Sequence, residues 1–133
     1  TEELNKRWNT SFWGRTVYDF DTIMLPTERN DDDRFFPAKQ LDYQRFVTDT
    51  TEECFLNEAN VLRRITPDIP VFSNISGFIK KLNQFQLTRN MDIVGWDNYP
   101  WPDDPAYFVA MKHDIMRGLK GGQSFVPTEL AAI

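Results

Sequence analysis

After Pro67 the sequence alternates short apolar runs with amphipathic stretches, and this alternation limits the available folds more than any other feature. Pro70-Val71-Phe72-Ser73-Asn74 is an apolar run closing on polar residues, which predicts a buried parallel strand over 70–74. Phe78 to Thr88 turns at helical spacing through Leu82, Phe85 and Gln86. Met91 to Asp97 predicts a second strand, near 92–97. Pro105 to Leu119 predicts a helix, with Pro105 in the first turn, where its missing N–H costs little. Phe108, Met111, Ile115 and Leu119 form its apolar stripe, and Gly121-Gly122 breaks it. Ser124 to Thr128 predicts a third strand, with Pro127 arguing against a central position.

Upstream, Leu41 to Ile65 is helical in period. Tyr43, Val47, Cys54, Val61 and Ile65 fall near one stripe, widened by Phe46, Phe55, Ala59 and Leu62, and Pro67 stops the helix. Cys54 reads as a small core residue on that stripe. Thr1 is a candidate cap for an opening helix that runs to about Trp8, with Glu2 and Glu3 favoured by the helix dipole. Residues 9–38 show no sustained period, a long stretch for a compact domain. Asp31-Asp32-Asp33 within it reads as a solvated loop tip in preference to a carboxylate metal site. The order of helix, strand, helix, strand, helix, strand predicts an α/β fold with a parallel sheet and right-handed crossovers. Three strands cannot close a barrel, and a (β/α)8 barrel needs about 250 residues. The alternatives are a small open sheet or a segment of a barrel.

Charge and composition exclude several classes. With 15 Lys+Arg against 20 Asp+Glu the net charge is −5, which argues against a nucleic-acid binder. Aromatic residues at 14% supply a core, which excludes a disordered acidic tail. No run approaches the ~18 apolar residues of a membrane span. A single cysteine, Cys54, and a single histidine, His113, exclude a disulfide framework and a multi-cysteine zinc site and speak against a His-based metal cluster. No metal and no cofactor are therefore expected. The first residues lack a signal-peptide pattern. Leu130-Ala131-Ala132-Ile133 is apolar after an apparent strand, so an internal piece of a longer chain is expected.

In α/β folds chemistry gathers beyond the carboxyl ends of parallel strands. That rule selects Asn74, the run Trp96-Asp97-Asn98-Tyr99-Pro100-Trp101, and Glu129. Aromatic faces for stacking on sugars, beside carboxylates and amides for hydroxyls, suit a carbohydrate site. Each residue also has a plainer reading. Asn74 and Asp97 could cap a helix and a turn, Trp96 could be core, and Glu129 could be a surface acid.

A run of ordered motifs bears on these alternatives. Leu4-Asn5-Lys6-Arg7-Trp8-Asn9-Thr10-Ser11-Phe12-Trp13-Gly14 resembles a block of the glycoside hydrolase family 42 β-galactosidases. Tyr18 through Pro26, Leu41 through Phe46, Asp92 through Pro100, and His113 through Glu129 resemble further blocks of that family, in order. The resemblance implies part of a (β/α)8 barrel, carrying strands five to seven, as an incomplete catalytic domain over 1–133. It implies retaining hydrolysis of terminal β-D-galactosides by two carboxyl groups. The family nucleophile falls on Glu129. Tyr99 matches a tyrosine beside that nucleophile, and Trp13 matches a tryptophan lining the sugar pocket. Asn74, Trp96 and Asp97 are held as further sugar-site candidates. The resemblance departs at Pro127, at Thr128 in place of a usual methionine, and at Leu130 in place of a usual glutamine. The family's acid/base, an Asn-Glu pair ending strand four, falls upstream of Thr1. Asn57-Glu58 imitates that pair but lies inside the long predicted helix. The metal cluster of some members also falls outside this sequence. A β-galactoside is the expected partner, with no nucleic acid and no membrane, in a cytoplasmic and homo-oligomeric parent enzyme. The rival readings are a non-catalytic carbohydrate-binding fragment and another retaining glycosidase of the same barrel clan.

Overall fold

The computed structural model describes residues 1–26, 36–76 and 81–131. They fall into two units, Thr1–Val47 and Thr48–Ile133.

The first unit opens with helix α1 (Glu2–Trp8), which closes on Asn9 in the left-handed region (φ 56°). Thr1 occupies the cap position but makes no side-chain cap bond, contrary to the expectation from its hydroxyl. Two single-turn 3-10 helices follow, Thr10–Trp13 and Phe20–Thr22. The stretch between them is held by buried Asn5, whose side chain treats Val17 as a strand partner would. Asn5 Nδ2 donates to Val17 O and Val17 N donates to Asn5 Oδ1, both at 2.7 Å. Thr10 Oγ1 donates to the same oxygen at 2.5 Å. One amide thus satisfies both backbone groups of an irregular segment, which is why it stays ordered without a periodic pattern. Asp31-Asp32-Asp33 lies outside the described residues.

Helix α2 (Pro37–Ile65) starts four residues before the predicted Leu41, with Pro37 at its first position. Its buried residues are Thr48 and Ala59; Ala59 lies on the predicted stripe, whereas Val61 and Ile65 of that stripe are exposed. Cys54 is exposed, contrary to expectation. It lines an open cleft with Phe55, Leu62, Leu87 and Met91, and its small side chain does not fill that cleft. Asn57-Glu58 sits in the middle of this helix, as expected.

The second unit carries strands β1 (Asn74–Ser76), β2 (Val94–Asn98) and β3 (Phe125–Leu130). They form a parallel sheet in the order β1-β2-β3. The parallel α/β reading holds, but strand one is displaced: Asn74 begins it and does not end it. The cause lies at Asp92, which takes both backbone groups of Val71. Asp92 N donates to Val71 O at 3.0 Å, and Val71 N donates to Asp92 Oδ2 at 2.7 Å. The ladder opens only where Asn74 meets Gly95. Strand two likewise begins at Val94 and strand three runs on to Leu130, so Glu129 lies within β3 and not at its end.

Helix α3 is confined to Gln84–Thr88, capped by Asn83 Oδ1 accepting from Gln86 N at 3.3 Å. The predicted start at Phe78 lies outside the described residues. Helix α4 (Ala106–Gly118) matches its prediction within a residue at each end. Strand alternation sends Val94 and Trp96 to one side of the sheet. There they join Ile75, Phe125, Met116 and Leu119 in the core beneath α4. Gly95 and Asp97 point to the opposite face.

Candidate active site

That opposite face carries the polar residues. Asp97 is only 3% exposed, and both its carboxylate oxygens are engaged. Asn74 Nδ2 donates to Oδ2 at 2.5 Å and Thr128 Oγ1 donates to Oδ1 at 2.6 Å. One carboxylate in the central strand therefore ties all three strands together.

The register between β2 and β3 then slips. Trp96 pairs with Pro127, but Asp97 pairs with Glu129, so Thr128 is an extra residue on β3. Paired residues of a parallel ladder share a face. In an unbroken register Glu129 would oppose Asn98 and share the side of Trp96. The bulge places it on the side of Asp97 instead, near the carboxyl end of the strand and exposed. Bulges re-aim side chains in this way, and they gather beside active sites. Pro127 was the sequence signal for it, because a proline has no N–H for a ladder.

The six residues singled out from the sequence separate as follows. Asn74, Asp97 and Glu129 share one face. Tyr99 follows β2 directly and is half exposed, beyond the strand's carboxyl end. Trp96 is 1% exposed in the core under α4, on the other side of the sheet. Trp13 closes the first 3-10 turn of the first unit. Thr128 was legible only as a departure from a pattern, and its hydroxyl proves to be a principal partner of Asp97.

Two other carboxylates are electrostatically tuned. In the first unit the Trp8 indole N–H donates to Asp42 Oδ2 at 2.9 Å and, with Arg45 and Arg7 on the other oxygen, holds the carboxyl below its ordinary range against partial desolvation. In the second, the Val71 N–H does the same for Asp92, helped by Arg63. Among the described residues no group of three or more His, Cys, Asp or Glu could hold a metal ion. Nor is any helix among them long and apolar enough to cross a membrane.

A family model described as β-galactosidase, glycoside hydrolase family 42, matches residues 1–132. The chain belongs to that family. It is 46% identical over 132 residues to the β-galactosidase BgaP of Planococcus sp. (strain L4), covering 96% of this chain and 20% of that protein. It is 43% identical over 129 residues to the β-galactosidase bgaB of Geobacillus kaustophilus, covering 96% of this chain and 19% of the relative. The crystal structure of the β-galactosidase from Bacillus circulans sp. alkalophilus superimposes with a TM-score of 0.83 at 47% identity, over 94% of this chain and 19% of the other. The chain thus spans about a fifth of the length of the family 42 proteins it matches. Its parallel strands and helices are a segment of their (β/α)8 barrel.

Proposed function

We propose that this chain is part of the catalytic barrel domain of a retaining β-galactosidase, and that Glu129 is the nucleophile. The carrying observation is the slipped register of β3, which sets an exposed glutamate beside Asp97 near the carboxyl end of a parallel strand. That is where barrel enzymes place reacting groups. In the proposed reaction a Glu129 carboxylate oxygen attacks the anomeric carbon of a terminal β-galactoside. The new bond is an ester. The bond from that carbon to the aglycone oxygen breaks, and that oxygen takes a proton from a second carboxylic acid. Retaining glycosidases hold the two carboxyl groups about 5–5.5 Å apart. Water then opens the ester with the second group acting as base. The resemblance assigns that second group to an Asn-Glu pair upstream of Thr1.

Tyr99 follows the neighbouring strand, where its hydroxyl can hold the Glu129 carboxylate in its attacking rotamer. For Trp13 the resemblance alone supports a sugar-binding role. Asn74 and Asp97 sit on the same face, but Asp97 has both oxygens occupied, so it acts through its neighbours and not on a sugar hydroxyl. Trp96 we assign to packing. A free, exposed thiol at Cys54 suits a reducing compartment, and this supports a cytoplasmic location.

A 2-deoxy-2-fluoro galactoside with a good leaving group tests the reading, because it slows hydrolysis of the covalent intermediate. Applied to the enzyme that carries this chain and followed by peptide mass mapping, it should label Glu129. Label on any other carboxylate would overturn the assignment.

A further inference from the structure

Three observations meet at Thr128. It is the extra residue of the bulge, it follows a proline with no N–H to give the ladder, and its hydroxyl reaches a buried carboxylate of the central strand. A bulge residue has no ladder partner, so its backbone is free to relax unless something else fixes it. Here the fixing contact is Thr128 Oγ1 to Asp97 Oδ1 at 2.6 Å. Asp97 is itself immobilised from β1 by Asn74. The next residue along β3 is Glu129.

We propose that Thr128, through the clamp Thr128–Asp97–Asn74, is the positioning residue that locks the bulge and thereby aims Glu129 at the anomeric carbon. This rests on Glu129 being the nucleophile. The clamp does not touch the sugar. Its loss should slow ester formation without weakening galactose binding. A misplacement of about 1 Å at a reacting group costs on the order of 10²-fold in rate. Thr128→Val keeps the shape and removes the hydroxyl, whereas Thr128→Ser keeps the hydroxyl.

The experiment measures the rate constant for trapping by a saturating 2-deoxy-2-fluoro galactoside, the inhibition constant of galactose, and the labelled peptide, in the enzyme carrying this chain. Thr128→Val should trap about 10- to 100-fold more slowly, with the galactose constant within about threefold of wild type and the label still on Glu129. Thr128→Ser should trap within about threefold of wild type. Trapping by Thr128→Val at the wild-type rate, or an equal loss in Thr128→Ser, would overturn the clamp while leaving Glu129 as nucleophile. Wild-type label on another residue would overturn both. Should Thr128→Val not fold, Thr128→Ala, which also removes the hydroxyl, is read in its place against Thr128→Ser. Trapping by Thr128→Ala at the wild-type rate overturns the proposal.

Discussion

At the residue scale, Glu129 and Tyr99 separate by what each contributes. Glu129→Gln keeps the shape and removes the charge proposed to attack. Galactoside hydrolysis by the enzyme carrying this chain should fall by at least ~10³-fold, while galactose still binds. Tyr99→Phe removes the hydroxyl proposed to hold that carboxylate, so a loss of about tenfold in kcat is expected. Steady-state assays of the two variants side by side test the order. Asp42 makes a prediction about stability. Its carboxyl is held below the ordinary value by Trp8, Arg45 and Arg7, so the folded state favours the charged form. That contribution is fully present above the unfolded value of about 3.9 and is lost as pH falls through the lower folded value. Asp42→Asn should cost roughly 1–2 kcal/mol at pH 7. The gap between wild type and variant in denaturant titrations should close on going from about pH 5 down to pH 2. A constant gap across that range would contradict the ion-pair account.

At the scale of elements, β2 depends on a missing side chain. A Cβ at Gly95 would lie 2.8 Å from Ser73 O and 2.8 Å from Phe72 Cδ2. The first of these is backbone and cannot step aside. Gly95→Ala should therefore push β1 and its lead-in off the ladder and destabilise by about 1–3 kcal/mol, read as a lower denaturation midpoint. Gly118→Ala on α4 meets no atom within 4 Å and serves as the control. The same strand shows what periodicity can and cannot convey. The existence of the strand was legible, but its two faces were not: Trp96 and Asp97 were held for one site and lie on opposite sides of the sheet. Nor were the ends legible, because Asp92 captures Val71 through a side chain, and no run of apolar residues encodes that contact. The long helices were legible from apolar spacing, yet the buried face of α2 was misread around Cys54. In the site, the strand-end rule selected Glu129 and the run that holds Tyr99, and the resemblance supplied their roles. The bulge that makes sense of Glu129 was present only as the awkward Pro127.

At the scale of the molecule, the chain is part of a barrel, and Glu129 is its proposed nucleophile. General acid assistance contributes about 10²–10⁴-fold, and the resemblance places that acid outside these residues. The 133-residue chain by itself should show no useful turnover of a chromogenic β-galactoside. Turnover comparable with an ordinary enzyme would force a search for another acid, with Glu58 the first suspect. Helix α2 leaves Leu41, Phe46, Val61, Leu62 and Ile65 exposed, and β3 leaves Val126 and Leu130 exposed. Apolar area of that extent seeks a cover. The isolated chain should therefore self-associate, and sedimentation of a cooperative monomer would contradict this. The uncovered face of α2 also has a meaning in time. Ribosomes add about 5–20 residues per second, so a stretch of this length takes on the order of ten seconds to emerge. During that interval α2 is complete while the strands that follow it are still to be synthesised, so its exposed apolar side chains are open to a nascent-chain chaperone.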